Sequence, residues 1–534
     1  MKNHAPAISV SLAALLALSA CSTAPTATKE PAAAPAATAA AEPVATPAPA
    51  QPAPAASTAA ASAPAAQELP SRPEKIAFSP LRFAAPRASA YRHVLPNGVV
   101  VFLAPSSELP LVELSMTFKG GEYLEPADKV GLSGMTAELL RTGGTEGLAP
   151  AALDEKLDFL ATEVAIGAKG TTCSATLDSL KANFDESLGL LMDMLARPRF
   201  DEAKTKIAVD EAIEGMKQRN DDADPILSRE WRMALYGEDH FEARPPTEAS
   251  IRSITRDDMR AFASRVFNAN NVVVAVSGDF EPKAMLAKLE RALSALPAGE
   301  RMADPPAPVA ALKPGVYHVE KEIPQGKVFI GARSIMRDDP DFFAALVMNE
   351  ILGGGGFTSR ITKTVRSDEG LAYSAGSRFT PGTWYPGEIR AGFQSKSPTV
   401  ALAIKLIERE FRRMMDEPVS EEELAVARQS FIETFPRSFE SKPAMLGIFV
   451  SDEWTGRSEE YWQTYRENIA KVTAADVQRV ARRLLDPQKM AIFVVGDWDA
   501  IAPGDGTRAR MADFFNDTVE HLPLRDPMTM QPMK

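Results

Sequence analysis

Two stretches of this chain follow one plan. "SIRSITRDDMRAFASRVFNANNVVVAVSGDF" and "NIAKVTAADVQRVARRLLDPQKMAIFVVGDW" each place a Thr before an amphipathic helix and an Asp three residues later, then a short turn, an apolar strand and Gly-Asp. Thr255 matches Thr473 and Gly278 matches Gly496, both 218 residues apart. Upstream, "LARPRFDEAKTKIAVDEAIEGM" and "MDEPVSEEELAVARQSFIETF" match at an offset of 220, so one small insertion separates the blocks. Self-similarity at a fixed offset means one structural unit built twice, here about 215 residues long. The 534 residues, 45% of them hydrophobic, are enough to bury two cores and more than one compact core usually holds. In each copy the Thr hydroxyl and the Asp carboxylate satisfy first-turn amides, which fixes where the helix begins. Strands interleaved with long helices, with hairpin signals in place of strict βαβ alternation, predict an α+β fold of two tandem similar domains, each a largely antiparallel sheet flanked by helices. "YRHVLPNGVVVFLAP" is such a hairpin signal, with Asn97-Gly98 as the tight turn before the run Val99 to Leu103.

What precedes the first domain reads differently. Residues 1–20 have one Lys near the start and an apolar run too short to span a bilayer, and Leu18-Ser19-Ala20-Cys21 resembles the bacterial lipobox. That resemblance implies a cleaved lipoprotein signal and acyl chains on Cys21, stable as a membrane anchor because each buried methylene contributes about 0.8 kcal/mol. An ordinary secretory signal with an incidental Cys is the alternative. Ser22 after the Cys, rather than Asp, points to the outer membrane of a Gram-negative envelope, facing the periplasm. Residues 21–70 are almost wholly Ala, Pro, Thr and Ser and predict a disordered tether. The remaining boundaries are an N-terminal domain over 71–300, a Pro-rich interdomain linker over 301–314, a C-terminal domain over 315–503, and a tail over 504–534 with no assigned element. With Cys21 set aside, Cys173 is the only cysteine left, which excludes an intrachain disulfide and predicts a small buried hydrophobe. A formal charge of -12 argues against nucleic-acid binding.

From about Tyr91 to Ile501 the chain resembles the insulinase-like M16 zinc peptidases of the mitochondrial-processing-peptidase type. The resemblance rests on "LPNGVVVFL", "GLSGMTAELLRTGGT", "NEILGGGGFTSRITKTVRSDEGLAYS" and the two Gly-Asp strand ends, in the expected order. It implies two M16-type domains. In an active member the first helix carries His-x-x-Glu-His, with both imidazoles as zinc ligands and the Glu activating the bound water, and a further Glu ligand lies downstream. Here the motif reads Gly134, Met135, Thr136, Ala137 and Glu138, and Glu211, or its neighbour Asp210, stands at the downstream position. The degenerate positions Gly134, Ala137, Glu138 and Glu211 therefore offer two carboxylates and no imidazole, so no metal is expected in this chain. None of the five His (His4, His93, His240, His318, His521) has a second His at helical spacing. Leu132, Met135 and Leu139 form an apolar stripe, so the helix is expected to persist as scaffold, with Gly134 retained for close packing.

The second half keeps what the resemblance associates with catalysis. "LGGGGFTSRITKTVRSDEGLAYS" reads as a Gly run, a short helix from Thr358 or Ser359, a stop at Gly370, and a strand emerging at Leu371-Ala372-Tyr373. It lacks the Gly-Lys-Ser/Thr ending of a phosphate loop. Taken alone, Arg366 reads as a complement to a helix C-terminus and Tyr373 as a half-buried strand residue. The resemblance implies instead that Arg366 and Tyr373 reach the zinc site of an opposing half or subunit and donate hydrogen bonds to the scissile carbonyl. It likewise implies that Gly353, Gly354, Gly355 and Gly356, flexible by composition, touch substrate or partner. The expectation is a non-catalytic subunit of a heterodimeric zinc metallopeptidase that cleaves short or unfolded peptides. Its partner would carry His-x-x-Glu-His and the zinc, and a lipid anchor would hold this chain to the membrane. The alternative is a catalytically inert structural or binding lipoprotein of the same fold. A third possibility is a homodimer that binds metal weakly through Glu138 and Glu211.

Overall fold

A computed structural model describes residues 82–533; Cys21, the signal segment and the tether lie outside them. Phe83–Lys534 forms one compact unit. Its first half runs β1 (Arg92–Val94), β2 (Val100–Pro105), β3 (Leu111–Lys119), α1 (Leu132–Thr142), α2 (Pro150–Phe159), β4 (Glu163–Lys169), β5 (Thr172–Leu180), α3 (Phe184–Ala196), α4 (Glu202–Lys217), α5 (Ala223–Tyr236), α6 (Glu248–Ser253), α7 (Arg256–Val266), β6 (Val272–Gly278) and α8 (Pro282–Leu293). The second repeats the plan: β7 (Gly315–Glu320), β8 (Gln325–Arg333), α9 (Phe342–Asn349), β9 (Ala375–Thr380), β10 (Glu388–Lys396), α10 (Val400–Asp416), α11 (Glu421–Thr434), α12 (Lys442–Thr455), α13 (Glu460–Lys471), α14 (Ala474–Leu484), β11 (Ala491–Gly496), α15 (Trp498–Ile501) and β12 (Val519–Leu522). Among the described residues no helix is long and apolar enough to cross a membrane.

Each half holds a six-stranded sheet, in the order β1-β2-β6-β3-β5-β4 and β12-β7-β11-β8-β10-β9. The pairs are antiparallel except β2–β6, β7–β11 and β7–β12. The hairpin at Asn97-Gly98 forms as expected, with Gly98 at φ +85°, a conformation that favours glycine. Both capping boxes form: Asp258 N donates to Thr255 Oγ1 at 3.2 Å and Asp476 N to Thr473 Oγ1 at 3.1 Å. Cys173 is fully buried in the first core, and its burial pushes the thiol pKa up.

One face of each sheet packs on its own half's helices. The opposite face is covered by a helix from the other half. Met445, Leu446 and Phe449 of α12 close over Phe102, Ala104, Val273 and Ala275 of the first sheet. Ile226, Leu227 and Trp231 of α5 close over Val319, Phe493 and Val495 of the second. Trp231 meets Phe329 and Phe493 edge-on, with ring centres 6.1 and 5.7 Å away, and its indole N–H donates to Glu388 at 2.6 Å. Burying side chains of this size contributes about 1.5–3 kcal/mol each, so the exchange binds the halves together.

The tail, for which the sequence predicts no element, supplies β12 at the edge of the second sheet. It then returns to the first half: Asn220 Nδ2 donates to Arg525 O at 2.8 Å, and Glu248 N to Met528 O at 2.9 Å. β12 also pairs two histidines distant in sequence. His318 Nε2–H donates to Gly496 O at 2.9 Å, which leaves His318 Nδ1 to accept from His521 Nδ1–H at 3.0 Å.

Candidate functional site

Helix α1 begins at Gly131, whose φ of +102° turns the chain into the helix. The buried Glu125 carboxylate accepts from Gly131 N at 3.0 Å and Ser133 N at 2.7 Å, so an anion sits on the positive end of the helix. Leu132, Met135 and Leu139 are buried as the stripe predicts. Arg141 Nε donates to Val164 O at 3.1 Å and ties the helix to the edge strand β4.

The degenerate metal positions separate into two kinds. Ala137 is buried in the core. Gly134 and Glu138 lie on the exposed face, one turn apart. A Cβ at Gly134 would meet nothing within 4 Å, so the expectation of close packing there is wrong: the residue borders open space. Glu138 faces Glu211 on α4, and desolvation first, then the Glu211 charge, holds the Glu138 carboxyl above its ordinary pKa. Asp210 instead pairs with Lys206 at 2.6 Å. Two carboxylates that repel each other, with no imidazole, do not fit zinc. Among the described residues no three His, Cys, Asp or Glu side chains gather as a metal would require. In the second half Glu350, just beyond α9, accepts from Ser430 Oγ on α11 at 2.8 Å.

Beyond α9 the helix widens. Gly355 N bonds to Glu350 O at 2.9 Å, five residues back, the wide-turn geometry often found at functional sites. The Gly run is therefore built into the fold rather than a loop loose by composition. A Cβ on Gly353 would lie 2.2 Å from Ser377 N of β9, and one on Gly355 2.8 Å from Glu350 O. Gly354 and Gly356 are exposed. A single tight turn over Gly356–Thr358 follows, and then a second wide turn over Thr362–Asp368. This segment is clamped by Arg360, whose guanidinium binds both oxygens of Glu423 at 2.7 and 2.9 Å and holds that carboxyl down at about 2. Gly370 turns the chain at φ +63°, but the strand begins at Ala375, four residues later than the sequence suggests. Leu371 is fastened before it, by its own N to Val365 O and by Ser395 Oγ to its carbonyl, both at 2.9 Å.

Arg366 and Tyr373 are brought together. The Arg366 guanidinium carbon lies 4.7 Å from the Tyr373 ring centre and 4.6 Å from that of Phe357. It forms no ion pair with any carboxylate among the described residues. Both rings are open to solvent, Phe357 at 65% and Tyr373 at 78% exposure, although large aromatic side chains are usually mostly buried. Sequence reasoning passes over Phe357, whose only signal is an aromatic residue directly after the Gly run. An arginine held between two aromatic faces keeps its charge and its N–H donors while losing rotational freedom. The arrangement can donate hydrogen bonds to a carbonyl or an oxyanion.

Residues 253–431 match the family model described as Peptidase M16 inactive domain. The chain is 26% identical over 402 residues, 74% of its length and 91% of the relative's, to the Non-peptidase homolog YmxG of Helicobacter pylori. It is 26% identical over 338 residues, 60% of its length and 73% of the relative's, to an uncharacterized zinc protease of Mycobacterium leprae. Its structure resembles the crystal structure of a peptidase M16 inactive domain from Pseudomonas fluorescens at a TM-score of 0.69 and 25% identity, covering 76% of this chain and 98% of that one. The chain's likeness is thus to M16 inactive domains and non-peptidase M16 homologues, and its two helix-flanked sheets match theirs.

Proposed function

We propose that this chain is the non-catalytic subunit of a heterodimeric M16-type zinc metallopeptidase. It supplies Arg366, Tyr373 and half of a chamber for short or unfolded peptides. The zinc and the His-x-x-Glu-His helix belong to the partner, and Cys21 tethers the assembly to a Gram-negative envelope membrane, facing the periplasm. The observation that carries this reading is the Arg366 guanidinium held between Phe357 and Tyr373 without an ion-pair partner. A scaffold has no use for an exposed, pre-oriented donor, whereas peptide-bond cleavage needs donors aimed at the developing oxyanion. The absence of zinc-binding chemistry on α1 complements it, because such a chain needs another to cleave anything.

The name of the H. pylori relative favours a second reading, an inert binding or structural lipoprotein of the M16 fold. Peptidolysis by the chain purified with its partner separates the two. Arg366→Ala is expected to lower kcat about 100-fold or more with assembly unchanged, and Tyr373→Phe to lower it by a smaller factor. Unaltered turnover in both variants would remove the site assignment and leave the inert reading.

A further inference from the structure

Helix α5 covers β7, β11 and part of β8, and it leaves the rest of the second sheet's outer face as a groove of ≈ 440 Å³ that reaches Ser374, next to Tyr373. Arg390 of β10 and Arg378 of β9 stand directly opposite each other in the antiparallel register there. Like charges in that position destabilise a sheet. Arg390 is offset by Glu388, at 3.0 Å, and lies 3.9 Å from the Phe329 ring centre. Lys327, also lining the groove, pairs with Asp224. Arg378 has no carboxylate partner among the described residues. The floor between the arginines and Ser374 is Gly392 opposite Gly376, so an extended backbone can lie close to the sheet. The whole chain carries a net charge of -12, which makes a local excess of cations in a groove a feature with its own cause.

We infer that this groove binds an extended peptide segment through a side-chain carboxylate, which Arg378 and Arg390 hold together. Bound there, the carboxylate relieves the repulsion between the two guanidinia and forms charge-assisted hydrogen bonds to both. The inference rests on the peptidase-subunit reading and deepens it by naming the substrate class, peptides with an acidic residue, that the second sheet would select.

The test uses the purified chain without a partner and a fluorescein-labelled, C-terminally amidated Gly/Ser peptide containing two Glu, compared with its Gln counterpart by fluorescence polarisation. The Glu peptide is expected to bind about tenfold more tightly, with the difference shrinking as salt rises. Arg378→Ala should abolish the difference and Arg378→Lys should retain part of it, while Arg366→Ala should leave it intact. Arg378 is exposed, so these variants should fold, and circular dichroism checks that they do. Equal binding of the two peptides overturns the inference, as does a preference that survives Arg378→Ala. Because no partner is needed, a chain that proves not to be a peptidase subunit can still show the preference. A chain that supports peptidolysis but shows no preference refutes the groove alone.

Discussion

An alanine at position 134 would put its methyl group into open space on the exposed face of α1. Glycine inside a helix costs about 0.5–1 kcal/mol relative to alanine, so Gly134→Ala is expected to stabilise by about that much, a rise of roughly 1 °C in the melting temperature of a unit this large. Position 353 is the opposite case. The Gly353 Cβ would collide with the backbone of β9, which cannot move aside, so Gly353→Ala is expected to destabilise by about 1–3 kcal/mol. Calorimetry on both variants checks the pair, and destabilisation by Gly134→Ala would mean that its helix face is covered. Neither sign is legible in the sequence: one glycine borders solvent and the other a strand twenty-odd residues further along the chain. The resemblance, not the residues by themselves, pointed Arg366 and Tyr373 to a shared site, and Phe357 was hidden because its partner lies nine residues on, across a turn.

On the first sheet's outer face, Glu113, Asp178 and Glu163 stand side by side on β3, β5 and β4. Desolvation first and the neighbouring carboxylate second raise the pKa values of Glu113 and Asp178. The folded chain therefore takes up these protons at a higher pH than the unfolded chain, and the row costs stability when ionised. Asp178→Asn is expected to stabilise by about 0.2–1 kcal/mol near neutral pH and to lose that gain below about pH 4. Thermal melts across pH would refute this if the gain were independent of pH. The pair linking β12 to β7 behaves oppositely. Burial first lowers the His318 pKa, against the raising effects of the Gly496 carbonyl, Glu320 and Asp497, while His521 lowers it further. The stability it contributes is present above about pH 6.5 and is lost as pH falls below it. The Trp498 ring lies 4.7 Å from His318 and 5.2 Å from His521, so the fluorescence difference between the native chain and Trp498→Phe should change through that range. No change there would detach the pair from the tail's stability. The capping boxes and the hairpin were legible because they are local. The His pair was not, because a parallel strand from the tail brings together residues 203 apart.

Seen whole, the chain is a duplication whose copies exchange a helix. The repeat announced two similar units, and the two sheets bear that out, but it gave no sign that α5 and α12 cross over. An apolar helix face does not say which sheet it will meet, so the crossover of α5 and α12 leaves no local signal. Each exchanged helix buries large side chains on the other half, so neither core is complete alone. Trp231→Ala and Phe449→Ala, on opposite sides of the exchange, are each expected to cost about 3–5 kcal/mol and to shift one common unfolding transition. Two separable transitions, with only one of them moved by each variant, would contradict the exchange as the bond between halves. The claim on which the account turns concerns a second chain. Mass spectrometry of proteins that co-purify with this one, tagged at its C-terminus and extracted from membranes in mild detergent, tests it most directly. A stoichiometric M16-type partner bearing His-x-x-Glu-His is expected; recovery of the chain alone, or only with unrelated envelope proteins, would contradict a role as half of a peptidase.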